Sequence, residues 1–174
     1  MICLVFQRTI LAFAVLAAFS GSVSADENKA ARGAYLARIM ACADCHSPRG
    51  PNGAPMPEAG LIGGNVGFEI PQAGIVWGPN LTPANGGAGS WSTEEIVTAL
   101  TTGVRPDGRL LIPVMPWPAY AGLTTQDAEA LASYLQSLTP DDNPVPGMIA
   151  PGENAPAPYF TIKFPGQGAP MPLA

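Results

Sequence analysis

The sequence predicts a small, mainly α domain in which three helices and long Gly/Pro-rich loops wrap one bulky planar group. Three observations give that class. Only three segments space their apolar residues as a helix does. Twenty Gly and twenty Pro crowd the 174 residues, and a Cys-x-x-Cys-His run follows directly on the first helical segment. Stretches so rich in Gly and Pro make turns and irregular loops. A small chain with few regular elements is short of apolar core, and a buried planar group supplies the missing mass.

Residues 1–25 read as an export signal rather than as part of the domain. Met1 to Arg8 carry one positive charge, Thr9 to Phe19 are almost unbroken apolar, and Val23-Ser24-Ala25 give small residues before Asp26-Glu27. An uncleaved anchor is the alternative, but the apolar run falls short of the roughly 20 residues that span a bilayer. Cleavage after Ala25 sends the mature protein to the periplasm. It also leaves Cys42 and Cys45 as the only cysteines, and seven Lys and Arg against thirteen Asp and Glu, a net charge of −6. Such an acidic surface argues against nucleic acid, whose phosphates it repels. No segment of the mature chain is long and apolar enough to span a membrane.

The domain proper is expected over residues 26–139, with a Pro-rich tail over residues 140–174. The first helix runs from about Glu27 to Met40, with Ala31, Tyr35, Leu36, Ile39 and Met40 at helical spacing. The second opens on Ser92-Thr93-Glu94-Glu95, a capping box with Ser92 as N-cap, continues through Ile96, Val97 and Leu100, and stops at Gly103. Thr124 caps the third, with Asp127 in its first turn. Ala128, Leu131, Leu135 and Leu138 form its stripe, and Pro140 ends it. Between the first two lies a loop from Ser47 to Ser90, with no strand alternation to be read. A loop of that length is acceptable in a compact domain only if it wraps something. The segment from Pro140 to Ala174 holds nine prolines and no periodicity. It is expected to be an extended or disordered tail that the domain does not need, with a docking arm as the alternative, and Tyr159 to Phe164 as one short extended stretch.

Cys42-Ala43-Asp44-Cys45-His46 carries the chemistry. C-x-x-C-H is the attachment pattern of haem c: two thiols add across the porphyrin vinyl groups and the adjacent imidazole ligates iron. At a helix end the i and i+3 thiols share one side, and the next residue turns its ring beneath the macrocycle. The rivals lack residues. A structural zinc site wants four Cys or His ligands, and His46 is the only histidine in the chain. A thioredoxin-like pair wants a βαβ setting that the sequence does not offer, while a plain disulfide remains open. The expected cofactor is one covalent haem c.

With one histidine, a second protein ligand on iron must be a different residue, and the mature methionines are Met40, Met56, Met115, Met148 and Met171. Met40 lies too near the motif to cross to the far face, and Met148 and Met171 sit in the tail. Met115 lies in Leu111-Ile112-Pro113-Val114-Met115-Pro116, an apolar strap stiffened by prolines, which cuts the entropy lost on ligation. Met115 is the predicted ligand and Met56 the other candidate, although methionine is ordinarily a core filler.

The chain resembles class I cytochromes c, in particular the haem modules in cytochrome subunits of periplasmic alcohol, gluconate and sorbitol dehydrogenases. The phrases that carry the resemblance are Arg32-Gly33-x-Tyr35-Leu36, Pro79-Asn80-Leu81-Thr82-Pro83 and Gly89-Ser90-Trp91-Ser92-x-Glu94-Glu95. To these add Gly103-Val104-Arg105-Pro106-Asp107-Gly108 and Met115-Pro116-Trp117-Pro118-x-Tyr120. Those subunits often hold two or three modules and a membrane anchor, whereas this chain has one C-x-x-C-H. The resemblance implies a cytochrome c fold and close approach of the third helix at Gly33, with Leu131 and Tyr134 packed there. It also implies an indole donor from Trp91 to a haem propionate and Arg105 or Arg109 as a charge partner for the other. Asn80 and Thr82 would line the propionate side, and a carbonyl from Pro55 or Pro57 would hold the free ring N–H of His46.

Iron held by both His46 and Met115 has no open position, which favours outer-sphere electron transfer over catalysis. The expected function is periplasmic electron transfer, as a soluble carrier or as the electron-transfer subunit of a dehydrogenase. Its partners are redox proteins: a periplasmic dehydrogenase as donor, and a terminal oxidase or other acceptor. The alternative is a haem enzyme or gas sensor with a displaceable distal ligand.

Overall fold

The computed structural model describes residues 25–84 and 86–163. The signal-like segment up to Ser24, and Met171 near the other end, lie outside the described residues.

Among the described residues, five α-helices and a three-stranded sheet follow one another: α1 (Ala25–Ile39), α2 (Ala43–His46), β1 (Gly67–Ile70), β2 (Gly74–Val76), α3 (Thr93–Thr102), α4 (Trp117–Tyr120), α5 (Thr125–Ser137) and β3 (Tyr159–Phe160). The three long helices are those the sequence predicts. Ser92 caps α3 through both arms of the capping box, and Gly103 closes it in the left-handed region at φ 75°. The Asp127 N–H donates to the Thr124 hydroxyl at 3.1 Å at the start of α5.

α1 and α5 form the main helix pair. Gly33 makes it possible: a Cβ there would overlap the Ala130 carbonyl oxygen and sit 2.6 Å from the Tyr134 Cβ. Tyr134 therefore packs at Gly33 as the resemblance implies, but the nearest backbone belongs to Ala130 rather than Leu131. Two ion pairs flank the seam, Lys29 with Glu129 at 2.8 Å and Arg32 with Asp127 at 2.9 Å. Leu36 and Ala37 of α1, Ile96 and Leu100 of α3, and Ala130, Leu131 and Leu135 of α5 form the buried core with Leu61.

The long loop holds more structure than its composition suggests. β1 and β2 form an antiparallel hairpin that pairs Phe68 with Val76 and Ile70 with Gly74. Strands of four and three residues are too short to show an alternation in sequence. The tail completes the sheet. β3 runs parallel to β1, with Tyr159 opposite Gly67 and Phe160 opposite Phe68. On the other edge, Ile149 bridges Ile75 through hydrogen bonds of 3.0 and 3.1 Å. The segment after Pro140 thus flanks the hairpin on both edges, at least as far as Phe160. The expectation of a loose tail is corrected, because backbone pairing holds it where side-chain periodicity is absent. The expected extended stretch near Tyr159 is present as β3.

Candidate functional site

Ala41, at φ 56°, turns the chain out of α1 and into the single turn of α2. His46 N–H donates to the Cys42 carbonyl at 3.0 Å, so the motif is helical from its first cysteine to its histidine. That places the Cys42 and Cys45 side chains three apart on one face. Both thiols are free, with Cys42 pushed up to about 11 and Cys45 raised, each chiefly by burial. Among the described residues no group of three His, Cys, Asp or Glu side chains is placed to hold a metal ion.

His46 is buried, and burial lowers its pKa more strongly than its hydrogen bond raises it. Its Nδ1 lies 2.8 Å from the Pro79 carbonyl oxygen. A carbonyl can only accept, so Nδ1 carries the proton and Nε2 of the neutral ring keeps a lone pair for a metal. The expectation that Pro55 or Pro57 supplies this carbonyl is corrected to Pro79. Pro55 belongs instead to a small turn, bridged to Arg49. Gly78 explains the choice: a Cβ there would overlap the Cys45 carbonyl oxygen and lie 3.3 Å from the His46 nitrogen. The bare backbone of Gly78 thus brings Pro79 against the motif. The Gly-Pro pair was visible in the sequence, but its partner some thirty residues upstream was not.

The methionines separate by place. Met115 is half-buried on the apolar core together with Met40, Cys42, Leu81, Trp91, Val97, Tyr120 and Leu123. Met56 is exposed, with its Sδ against Gly50 and its N–H on the Pro48 carbonyl, in the turn that follows the motif. The strap bearing Met115 continues into α4, where Trp117 lies over Gly103 and donates to the Leu111 carbonyl at 3.2 Å. Tyr120 is pushed up to about 12, first by burial and then by the nearby Cys42 and Cys45. Tyr120 of α4, which follows the strap, thus lies near the two thiols, and its hydroxyl donates to the Met40 carbonyl at 3.4 Å.

Trp91 packs on the core with the Arg105 guanidinium 5.3 Å from its ring centre. Arg105 Nε is buried without a hydrogen bond, 3.4 Å from an Asp107 oxygen, whereas Arg109 is largely exposed and paired with Asp107 at 2.7 Å. Of the two arginines, Arg105 is the one beside Trp91. Asn80 is turned elsewhere: its Nδ2 donates to the Asp141 carbonyl at 2.6 Å and its Oδ1 accepts from Thr82 N–H at 2.8 Å. Thr82 likewise bonds Asp141.

The donor set fits a covalent macrocycle. Two free thiols share a face beside a neutral imidazole, and Cys42 packs on the same core as a group of partly buried apolar side chains that includes Met115. The family model for cytochrome c matches residues 30–139, a span that runs from α1 through α5. The chain belongs to the cytochrome c family. Membership implies covalent haem c. The chain is 34% identical over 125 residues to the fructose dehydrogenase cytochrome subunit of Gluconobacter japonicus, covering 71% of this chain and 24% of that one. It is also 34% identical over 128 residues to the cytochrome c subunit of the quinone alcohol dehydrogenase of Gluconobacter oxydans, covering 67% and 25%. The gluconate 2-dehydrogenase cytochrome c subunit of Pantoea cypripedii is 34% identical over 133 residues, covering 74% and 28%. The chain thus spans about a quarter of the length of each of these relatives.

Proposed function

We propose that this cytochrome carries one electron at a time on a single haem c, attached through Cys42 and Cys45 and ligated by His46 and Met115. It would act in the periplasm after cleavage behind Ala25. The observation that carries the reading is the hydrogen bond from His46, in the attachment motif, to the distant Pro79 carbonyl, which supports a tautomer with Nε2 free for iron. When bound, haem supplies a one-electron couple at iron. The protein's part is to hold that couple closed and dry. Pro79 orients the imidazole, Met115 presents a thioether from a strap braced at Gly103, and Leu81, Val97 and Leu123 keep water off the ring. Trp91 and Arg105 together offer an N–H and a positive charge to a propionate, which needs both when partly buried.

The relatives named above are cytochrome subunits of dehydrogenases, which favours a dehydrogenase as electron donor for this chain too. A terminal oxidase or another redox protein would accept. Among the described residues no helix is long and apolar enough to cross a membrane.

Met115→Ala tests the closed site. The ferric protein should show the weak red charge-transfer band of sulfur ligation, and the ferrous protein should bind carbon monoxide slowly. Met115→Ala should abolish the band, speed carbon monoxide binding and lower the potential, because a thioether favours Fe(II). Met56→Ala should change none of these. Rapid carbon monoxide binding by the unmutated protein, with a spectrum indifferent to Met115→Ala, would favour a haem enzyme or gas sensor.

A further inference from the structure

His46 is held at two points, and both lead to the tail. Its ring donates to the Pro79 carbonyl at 2.8 Å, and its own carbonyl accepts from Gly63 N–H at 2.8 Å. Pro79 and Gly63 belong to two separate runs of the long loop, joined side by side through Leu81 N–H on the Leu61 carbonyl at 2.9 Å and Gly64 N–H on the Gly78 carbonyl at 2.9 Å. Two residues of the tail, Asp141 and Asn143, grip both runs. The Asp141 carbonyl accepts from Asn80 Nδ2 at 2.6 Å, and the Asp141 N–H donates to the Thr82 hydroxyl at 3.2 Å. Asn143 Nδ2 donates to the Ile62 carbonyl at 3.1 Å, beside Gly63. The Asp141 carboxylate in turn accepts from Asn143 N–H at 2.8 Å, which ties the two grips together. Thr82 is almost fully buried, so if the tail lifted its hydroxyl proton would lose its acceptor and the oxygen would keep only the long 3.4 Å contact from Ala84 N–H.

We propose that Asp141 and Asn143 are positioning residues for the axial imidazole: the tail staples the two loop runs that hold His46 and so sets the strength of its hydrogen bond to Pro79. This rests on His46 as an iron ligand. The consequence is chemical as well as mechanical. A firm Nδ1–H···O bond makes the imidazole a better donor and stabilises ferric iron. A tail that loosens lets the carbonyl drift, weakens that donation and raises the potential. The tail thereby acts on the metal through hydrogen bonds alone, without touching it.

The test uses the full-length, haem-loaded protein. Asn143→Ala and Thr82→Val each remove one grip, Thr82→Ser restores the hydroxyl, and Asn154→Ala is a control in the same tail. In the ferric protein, proton NMR reads exchange of the hyperfine-shifted His46 Nδ1–H with solvent, and voltammetry reads the potential. Asn143→Ala and Thr82→Val should exchange about tenfold faster, the scale of one lost hydrogen bond, with an upward shift in potential. Thr82→Ser and Asn154→Ala should match the parent. If Thr82→Val fails to mature, Asn143→Ala, a change confined to the tail, decides alone. Parent-like exchange and potential in Asn143→Ala and Thr82→Val, with haem still covalent, would overturn the proposal. A parent protein with no such imidazole resonance would instead overturn the ligation on which it rests.

Discussion

The α1–α5 seam and the clasp of hairpin and tail both brace the attachment motif, but by opposite means. The seam is built from side chains: a glycine notch at Gly33, a stripe of Ala128, Leu131 and Leu135, and two ion pairs along its rim. The clasp is built mostly from backbone. Strands of two to four residues, one bridge at Ile149 and three polar grips do its work, and its apolar residues Tyr159 and Phe160 stay substantially exposed. The first kind of structure writes itself into the sequence as a period, and the second does not. Packing should therefore dominate stability in the seam, whereas loss of the clasp should show as local opening.

The sharpest way to break this contrast is to fill the notch. Gly33→Leu forces a side chain into the Ala130 backbone, which cannot move without moving α5, and should cost about 3 kcal/mol or more of unfolding free energy. A denaturant titration of the haem-loaded protein measures it. A loss under about 1 kcal/mol would mean that the helices are free to part. Next comes Leu131→Ala, which empties a site only 2% exposed and should cost about 2–4 kcal/mol in the same titration. Ending the chain after Pro140 addresses the other region. It removes β3, the Ile149 bridge and all the grips of Asp141 and Asn143, so thermolysin should cut between residues 65 and 78 much faster than in the full chain. The helical unfolding midpoint should move far less. Unchanged proteolysis would show that the hairpin stands without its edges.

Smaller effects sharpen the picture on the helix ends. Ser92→Ala removes the N-cap of α3 and should cost about 1 kcal/mol, read from the same denaturation curves. The smallest effect is electrostatic. The Arg32 hydrogen bond holds the Asp127 carboxyl below its ordinary range, so the contribution of this pair is present above the unfolded carboxylate pKa. It is lost as pH falls through the lowered folded value. Asp127→Asn should flatten that acid limb slightly, and 1 M salt should erase most of the difference, since both partners face solvent.

These contrasts explain what the sequence could and could not disclose. Ser92, Gly103 and Thr124 mark helix ends because each satisfies orphan backbone groups locally, within a few residues. Cys42, Cys45 and His46 disclose their cofactor class for the same reason, being adjacent by chemical necessity. Pro79 escaped because its partner is His46, brought near only by the bare backbone of Gly78. Asn80 escaped differently. A resemblance assigned it to a propionate, while the Asp141 carbonyl in a stretch without periodicity takes its amide. Prolines made that stretch look unstructured, yet a chain of fixed φ with few N–H groups can still be pinned at isolated points such as Asp141, Asn143 and Ile149.

The order in which the chain is made gives the clasp a second meaning. A polypeptide leaves the ribosome, and any export channel, N-terminus first. α5 ends at Ser137, while β3 begins only at Tyr159. The helical frame is thus complete about twenty residues before the last strand exists. During that interval the run from Ser47 to Ser90 lacks β3, the Ile149 bridge and the three grips of Asp141 and Asn143. The late strand is then the closing piece of the loop, laid down on a frame that is already complete.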